Sequence, residues 1–229
     1  YFFSTYTCTI DNILTGTWRH RKGEFIDIIR QGTSEDMKDE LSQLKAGNSR
    51  SNWGTLLYFE AQPYFAISGR DKERHARSRE ELDIGVHHID PHGPVDIGIQ
   101  IIELARLDPT QFDPRLCDEH GVCLDPRASD AIIVNVNYPL GLSAYNILSQ
   151  VGMTTDELQG IYILGKAATL NGRIGDVMIS NVVYDEHSGN TYWFDNAFSY
   201  ADLDPYLVYG AALDNQKAVT VKGTFLQNE

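Results

Sequence analysis

One lysine in the sequence stands among small residues, directly after an apolar segment typical of a buried strand. The stretch GKAATLNGRIGD covers residues 165–176 and follows LQGIYIL. Small neighbouring side chains leave the backbone accessible to a ligand. A lysine at such a position can bind a phosphate or carboxylate group of that ligand. The candidate binding residues of this loop are Gly165, Lys166, Ala167 and Thr169. In the alternative, Lys166 pairs with one of the many acids or reaches solvent.

A second candidate loop lies upstream, in AIIVNVNYPLG, residues 131–141. This segment predicts a strand that enters a tight loop, and LSAYNILSQVG after it predicts a helix. Gly141 lies where the helix opens and Ser143 lies in its first turn. Backbone N–H groups and the helix dipole favour an anion at such a position. Gly141 and Ser143 are therefore candidate binding residues as well.

A cysteine pair offers a weaker candidate, a metal site. Cys117, His120 and Cys123 are spaced three residues apart in CDEHGVC. A zinc site usually has four ligands at recognisable spacing, and the histidines of HHIDPH (87–92) would have to complete it from a distance. We predict instead a loop with incidental thiols or one local disulfide, and no metal.

The acid-acid-histidine run at residues 185–187 is followed by Ser-Gly-Asn, which marks the tip of a hairpin. We predict a solvated turn there. The sequence has no G-x-S-x-G elbow for a Ser-His-Asp hydrolase. It also has no G-x-G-x-x-G after a strand for a Rossmann dinucleotide site.

The elements that position the two loops alternate between strand and helix. From residue 131 we predict a strand, a helix and the strand GIYILG, within about 35 residues, the length of one parallel crossover. Then follow a long strand or a hairpin over GDVMISNVVYDEHSGNTYWF, turning at Ser188-Gly189-Asn190, and a strand from residue 217.

The earlier part of the chain predicts helices over GEFIDIIRQG, over 34–47 with Ser34 as N-cap and Gly47 at its end, and over 94–108. Residues 51–68 fit either two short strands or part of a helix, and 107–130 predict a surface excursion or a lid.

These elements predict an α/β protein. Its mixed, largely parallel central sheet is flanked by helices and preceded by a mostly helical part. We expect a helical or irregular region over 1–125 and an α/β core over 126–229.

Three segments, in this order, resemble the nucleoside phosphorylase/nucleosidase superfamily, which includes purine nucleoside phosphorylases and methylthioadenosine nucleosidases. They are IIVNVNYPLGLSAYNIL, IYILGKAATLNGRIGDVMISNVVY and AVTVKGTFLQN, within residues 131–228. The loop at Gly165 followed by Gly175-Asp176 is the most specific part of the likeness. Asp176 itself fits a turn before the next strand.

The resemblance implies cleavage of the N-glycosidic bond of a nucleoside or nucleotide, by phosphorolysis or hydrolysis. It implies no cofactor, with phosphate as co-substrate in the phosphorolytic case, and a homo-oligomer. It places the ligand at the carboxyl ends of the strands, against the two loops, and Phe225 beside the base.

The chain also departs from the family. Pro139-Leu140-Gly141 replaces a Gly-x-Gly, and Ala168 and Thr169 replace two glycines. The family's Met-Glu segment and later Asp would follow the Phe225 strand, but this chain ends at Glu229. Three explanations stay open: a fragment, a second chain that completes the fold, or a non-catalytic binding or structural descendant. We assign no catalytic residue.

Charge and hydropathy exclude other classes of partner. The net charge is −13, with 32 acidic and 19 basic side chains, which argues against nucleic acid. No apolar run approaches the roughly 20 residues that cross a bilayer. No signal peptide is recognisable, so we expect a cytoplasmic protein without membrane partners.

Overall fold

The structure is a computed structural model of the 229-residue chain, and it describes all residues except 33, 50, 67–70, 92–96, 140, 166, 208–209 and 221–229. The chain forms two compact units, residues 1–166 and 167–229. Mixed sheets flanked by helices make it an α/β protein, which confirms the predicted class.

The described part of the first unit contains five strands and seven α-helices. The strands are β1 (Phe2–Thr5), β2 (Val86–Ile89), β3 (Ile99–Glu103), β4 (Ile132–Asn137) and β5 (Ile161–Ile163). The helices are α1 (Thr7–Thr15), α2 (Thr17–His20), α3 (Lys22–Gln31), α4 (Glu35–Ala46), α5 (Trp53–Ala66), α6 (Asp71–Asp83) and α7 (Gly141–Thr154).

The first sheet has the strand order β2-β3-β4-β1-β5. β1 pairs in parallel with both β4 and β5, whereas the β2–β3 and β3–β4 pairs are antiparallel. Sequence reasoning found no strand at the start of the chain, because FFST is short and half polar. The sequence analysis expected one region over residues 1–125 and another from residue 126. The first compact unit instead covers residues 1–166, and β1 pairs with β4 within it.

The helix predicted over 94–108 is wrong in the part that the structure describes. Residues 99–103 form β3, and one 3₁₀ turn, Leu104–Arg106, follows. Gln100 and Ile102 are completely buried and alternate with half-buried neighbours, which is the period of a strand. Pairing with β4 outweighed the helical spacing of the isoleucines.

Two other helix predictions are confirmed. α3 covers GEFIDIIRQ and buries Phe25 and Ile29. α4 begins after Ser34, whose side chain accepts a hydrogen bond from the Met37 N–H at 3.4 Å. It ends at Gly47, which has a φ of 71°. The undecided stretch 51–68 contains α5, a helix.

Two apolar clusters form the core of the first unit. One joins α2, α3, α4 and α5 through buried side chains: Trp18, Phe25, Ile29, Leu41, Leu56 and Leu57. The other lies between the sheet, α1 and the excursion after β3: Leu14, Val86, Ile102, Leu107 and Phe112. The side chains of the first cluster all come from α2 to α5, so these four helices pack against one another.

The excursion at 107–130 consists of short 3₁₀ turns, each starting at a proline after an aspartate cap. Cys117 and Cys123 form a disulfide bond, which is the local bridge that the sequence left open. Such bonds are unusual in a reducing cytosol, so cytoplasmic localisation stays a prediction. Every helix in the described part of the chain is too short or too polar to cross a membrane.

The described part of the second unit is a three-stranded sheet, order β7-β6-β8, with one short helix. Its elements are β6 (Val177–Asp185), β7 (Asn190–Trp193), α8 (Tyr200–Leu203) and β8 (Ala212–Thr220). β6 and β7 form the predicted hairpin, and β8 contains the start of the strand predicted from residue 217. Asp185 accepts hydrogen bonds from the Ser188 and Thr220 hydroxyls, both at 2.6 Å, which confirms a structural turn.

Candidate functional site

The parallel strands β4, β1 and β5 end in register at one edge of the first sheet. Thr5 is aligned with Asn137 and Ser4 with Ile163. Each strand is then followed by a loop or a helix start. The Leu164 N–H still donates to the Ser4 carbonyl at 2.8 Å, so the loop after β5 leaves directly from this edge.

Three predicted site residues lie at this edge. Gly141 begins α7, four residues after β4, and the half-buried Ser143 lies in the first turn of that helix. Gly165 is exposed two residues after β5. Among the described residues, no atom lies within 4 Å of a Cβ built on Gly165, so they leave the space above its backbone open. Because β4 and β5 flank β1, the Gly141 and Gly165 loops lie two strand spacings apart, about 10 Å.

An aromatic pair at the same edge was missed by sequence reasoning. Tyr6 follows β1 and Tyr138 follows β4, and their rings stack with centroids 5.8 Å apart and planes 5° from parallel. Tyr138 has a φ of 39°, a left-handed backbone conformation that residues other than glycine rarely adopt. Such strain often collects at functional sites. Tyr138 stands inside the NYPLG motif, directly after the strand, and this position was the available signal.

The remaining predicted residues belong to the second unit or fall outside the described residues. Ala167 and Thr169 belong to the second unit, and both are exposed. The Thr169 hydroxyl is bound within its own turn: it accepts from the N–H groups of Asn171 and Gly172, at 3.3 and 3.1 Å. Lys166 and Phe225 fall among the residues that the structure does not describe. Asp176 accepts from the Arg173 and Ala211 N–H groups, at 2.7 and 2.9 Å, which confirms its turn role.

A second polar site lies on one face of the first sheet. The register pairs His88 with Gln100 and Gln100 with Asn135, so the three side chains point to the same face. Asn135 Nδ2 donates to Gln100 Oε1 at 2.9 Å, and Thr5 Oγ1 donates to Asn135 Oδ1 at 2.9 Å. Gln100 and Asn135 are both completely buried.

This row ends at a cluster of four charged or titratable side chains, which we call the ionic cluster: Asp11, Arg77, Glu81 and His88. Gln100 Nε2 donates to Asp11 Oδ1 at 2.6 Å. The guanidinium of Arg77 joins both carboxylates, with Nη2 3.1 Å from Asp11 Oδ2 and Nε 2.5 Å from Glu81 Oε1. His88 Nε2 lies 3.0 Å from Glu81 Oε2.

Burial and charge shift the titration of this cluster. Burial raises the pKa of Asp11 to about 7, and the charge of Glu81 adds to the rise. For Glu81 burial also acts upward, but the hydrogen bonds and charges of His88 and Arg77 outweigh it and lower the pKa below 4.5. For His88 burial acts downward, but the bond to Glu81 and the charge of Asp11 raise the pKa above 6.5.

Asp11, Glu81 and His88 are also the one group in the described part of the chain whose ligand atoms, all within 4.8 Å, are close enough to hold a metal ion. Arg77 already supplies a cation to both carboxylates, and His88 bonds Glu81 directly. Both oxygens of each carboxylate and Nε2 of His88 therefore have a partner without a metal. We describe it as an ion network.

Arg77 and Glu81 also line a cavity of about 730 Å³ in the first unit. Its other walls are mostly polar, with two apolar side chains, Ala76 and Ile84. The polar residues are Thr15, His20, Arg21, Lys72, Glu73, Glu80, Asp83, Asp108 and Gln111. Two of the four members of the ionic cluster thus form part of the wall of this cavity.

Sequence reasoning missed the ionic cluster because its members lie far apart in the chain and each has an ordinary local context. A usable signal was present in the strands IGIQIIE and IIVNVN. A glutamine and an asparagine in the middle of apolar strands indicate buried polar groups, and those need partners.

The fold and these two sites define an α/β protein with a candidate ligand edge at parallel strand ends. Residues 1–229, the whole chain, match the model of a protein family described as "Family of unknown function (DUF6909)". The chain belongs to this family. No curated protein and no solved structure matches it.

Proposed function

We propose that this protein binds a nucleoside or nucleotide at the carboxyl edge of β4, β1 and β5 and cleaves its N-glycosidic bond. One observation carries the proposal. The Gly141 and Gly165 loops, which resemble those of nucleoside phosphorylases and nucleosidases in sequence, leave in-register parallel strands at a single edge. Ligands of open α/β sheets bind at this kind of edge.

The chemistry of the edge supports an anionic or electron-rich ligand. Gly141 opens a 14-residue helix with no acid in its first turn, so the N–H groups of that turn and the helix dipole favour a phosphate there. Tyr6 and Tyr138 offer a stacked aromatic surface beside it. The transition state of such a cleavage resembles an oxocarbenium ion, which a phosphate or an activated water under the sugar stabilises.

The finer features of the family belong to the same proposal. They are a phosphorylase-like, largely parallel core, phosphate as co-substrate, no other cofactor, a homo-oligomer and the placement of Phe225 beside the base. A second chain that contributes groups to the site is the form this proposal takes if the single chain binds without reacting.

The test is release of free base by the full chain. The protein is incubated with a panel of purine and pyrimidine nucleosides and their 5′-monophosphates, with and without inorganic phosphate, and the free bases are separated by chromatography. We expect release from at least one substrate. Absence of both turnover and binding across the panel, for a folded full-length protein, contradicts the proposal.

Two glycine variants link the activity to the edge. Gly165→Ala and Gly152→Ala each add a Cβ into open space, so neither variant has a steric cost to folding. Gly165 lies at the proposed site, whereas Gly152 lies near the end of α7. We expect Gly165→Ala to lower kcat/KM at least about tenfold, because the methyl group keeps the ligand from the backbone. Gly152→Ala should leave kcat/KM unchanged, and an equal loss in both variants would separate the activity from this edge.

A binding protein without turnover is the second candidate function. It is favoured by the Thr169 hydroxyl, which its own turn occupies, and by the alanine and threonine that replace two family glycines. It predicts saturable binding of a nucleoside by calorimetry, with no free base released.

A further inference from the structure

Helix α6 is attached to the sheet by charged side chains. Its residues at every fourth position on one side are Glu73, Arg77 and Glu81. Among the described side chains of α6, Glu81 is the buried one and Glu73 and Arg77 are half-buried, while Leu82 is 46% exposed. A surface helix normally packs through an apolar stripe. Here the contact to the sheet depends on ion pairs instead.

Helix α6 is attached to the rest of the first unit at its C-terminal end and at its middle. Its C-terminal end is fixed because Arg106 Nη2 donates to the carbonyls of Leu82 and Asp83, at 2.9 and 3.3 Å. The middle of the helix is fixed by Arg77 and Glu81, which bond to Asp11 on α1 and to His88 on β2. The same two side chains form part of the wall of the 730 Å³ cavity.

The charge balance of the ionic cluster depends on protons. With Asp11 and His88 both protonated, one carboxylate, Glu81, faces two cations. Once Asp11 is ionised, two carboxylates face two cations and the cluster is neutral. When His88 is neutral, two buried carboxylates share one guanidinium, and the Glu81–His88 contact loses its charge assistance. Gln100 is the uncharged group that faces Asp11 from β3. Deprotonation therefore weakens the contact between α6 and the sheet.

We propose that the ionic cluster is a proton-dependent latch that holds α6 on the sheet, and that loss of its protons releases α6 and opens the cavity. Release returns Arg77 and Glu81 to water, which removes the cost of burying an unbalanced charge. The pKa directions described above agree with the geometry: burial raises the pKa of Asp11 to about 7, and the bond to Glu81 and the charge of Asp11 raise the pKa of His88. The latch is independent of the nucleoside site proposed above.

Hydrogen exchange of the full chain, followed by mass spectrometry at about pH 6 and about pH 8.5 and corrected for intrinsic exchange, tests the latch. We expect protection of the α6 amides to fall at least about tenfold at the higher pH, the effect of about one pKa unit. Protection of α3, which is held by the apolar Phe25 and Ile29, should change less than about twofold.

Variants decide whether the cluster is responsible. Asp11→Asn removes a titrating group and keeps the size of the side chain, so α6 protection should become nearly independent of pH. If Asp11→Asn does not fold, His88→Gln serves instead: it removes the other titrating group and should reduce the pH response of α6 protection, because only Asp11 still loses a proton. The matched control is His87→Gln, because His87 lies on the opposite face of the same strand with its own partner, Glu103, at 2.5 Å. That variant should keep the response of the natural protein.

Three results would overturn the latch. The first is equal α6 protection at both pH values in the natural protein. The second is a loss of protection shared equally by α3, which means global unfolding. The third is an unchanged pH response in a folded Asp11→Asn or His88→Gln variant.

Discussion

Gln100 Nε2 donates a hydrogen bond to Asp11 Oδ1 across 2.6 Å, where Gln100 is fully buried and Asp11 is 2% exposed. Through this bond the polar row of the sheet, which begins at Thr5 and Asn135, continues into the charges of α6. A buried polar chain of this kind is stable only while every member has a partner.

Removal of the central member should therefore be costly. Gln100→Leu leaves Asp11 Oδ1 and Asn135 Nδ2 each without that partner, and an unsatisfied buried group costs about 1–3 kcal/mol. We expect a loss of roughly 2–5 kcal/mol in the free energy of unfolding. Urea denaturation measures it. The exposed Gln43 on α4 is the control, since Gln43→Leu should change the free energy by less than about 0.5 kcal/mol. Equal effects would mean that the chain of bonds contributes nothing.

The stability of the first unit should fall as pH rises through 7. Asp11 has a pKa raised from 3.8 to about 7, so its contribution is complete below about pH 4 and is lost as pH rises to about 7. The raised pKa of His88 acts in the same direction, above pH 6.5. The lowered pKa of Glu81 acts oppositely, with stability lost as pH falls below 4.5. The maximum should lie at mildly acidic pH.

Urea denaturation at about pH 5.5 and about pH 8.5 measures this dependence. Replacing Trp193 by Phe restricts the tryptophan signal to Trp18 and Trp53, which belong to the first unit. We expect a difference on the order of 2–4 kcal/mol between the two pH values. Asp11→Asn should reduce it by half or more. A profile that rises toward pH 8.5 would contradict the assigned directions.

The parts of the fold that the sequence predicted are those with local signals. The cap at Ser34, the stop at Gly47 and the hairpin tip at Ser188-Gly189 each depend on neighbouring residues only, and each is confirmed. β3 and β1 depend on partners far along the chain. Ile99–Glu103 has helical spacing by itself and becomes a strand because β4 pairs with it.

The same distinction explains the two sites. The edge with Gly141 and Gly165 was predicted because each loop carries its own motif, and the parallel order needed only short-range reasoning. The ionic cluster joins residues 11, 77, 81 and 88 through the register of β2 and β3, which no local pattern specifies. Its partners follow from tertiary pairing, as do the Tyr6–Tyr138 stack and the role of α6.

The Cys117–Cys123 bond should stabilise the excursion after β3 by a modest amount. It closes a short loop, with a sequence separation of 6, and the chain-entropy model gives roughly 2 kcal/mol for a loop of this length. We expect reductant to lower the free energy of unfolding by up to about 2 kcal/mol. A Cys117→Ser/Cys123→Ser double variant should show the same lower value and no response to reductant. A response that persists in the double variant would assign the effect to another group.

In the second unit the backbones of Gly175 and Gly210 make a contact that leaves no room for a side chain. A Cβ on Gly210 would lie 2.2 Å from the Gly175 carbonyl oxygen, and Gly210 has a φ of 76°. Gly210→Ala should therefore cost about 3 kcal/mol or more, from the clash and from left-handed strain of about 1–2 kcal/mol.

Gly189 separates these two costs. It has a similar φ of 70° at the tip of the β6–β7 hairpin, but its Cβ would meet nothing within 4 Å. Gly189→Ala should therefore cost only the strain, about 1–2 kcal/mol. Exchange protection of β6 and β8 in each variant measures the difference, because Gly210 lies just before β8 and its contact joins the two strands at their start. Protection that falls equally in both variants would show that backbone strain alone accounts for the loss and that the close contact with Gly175 adds nothing.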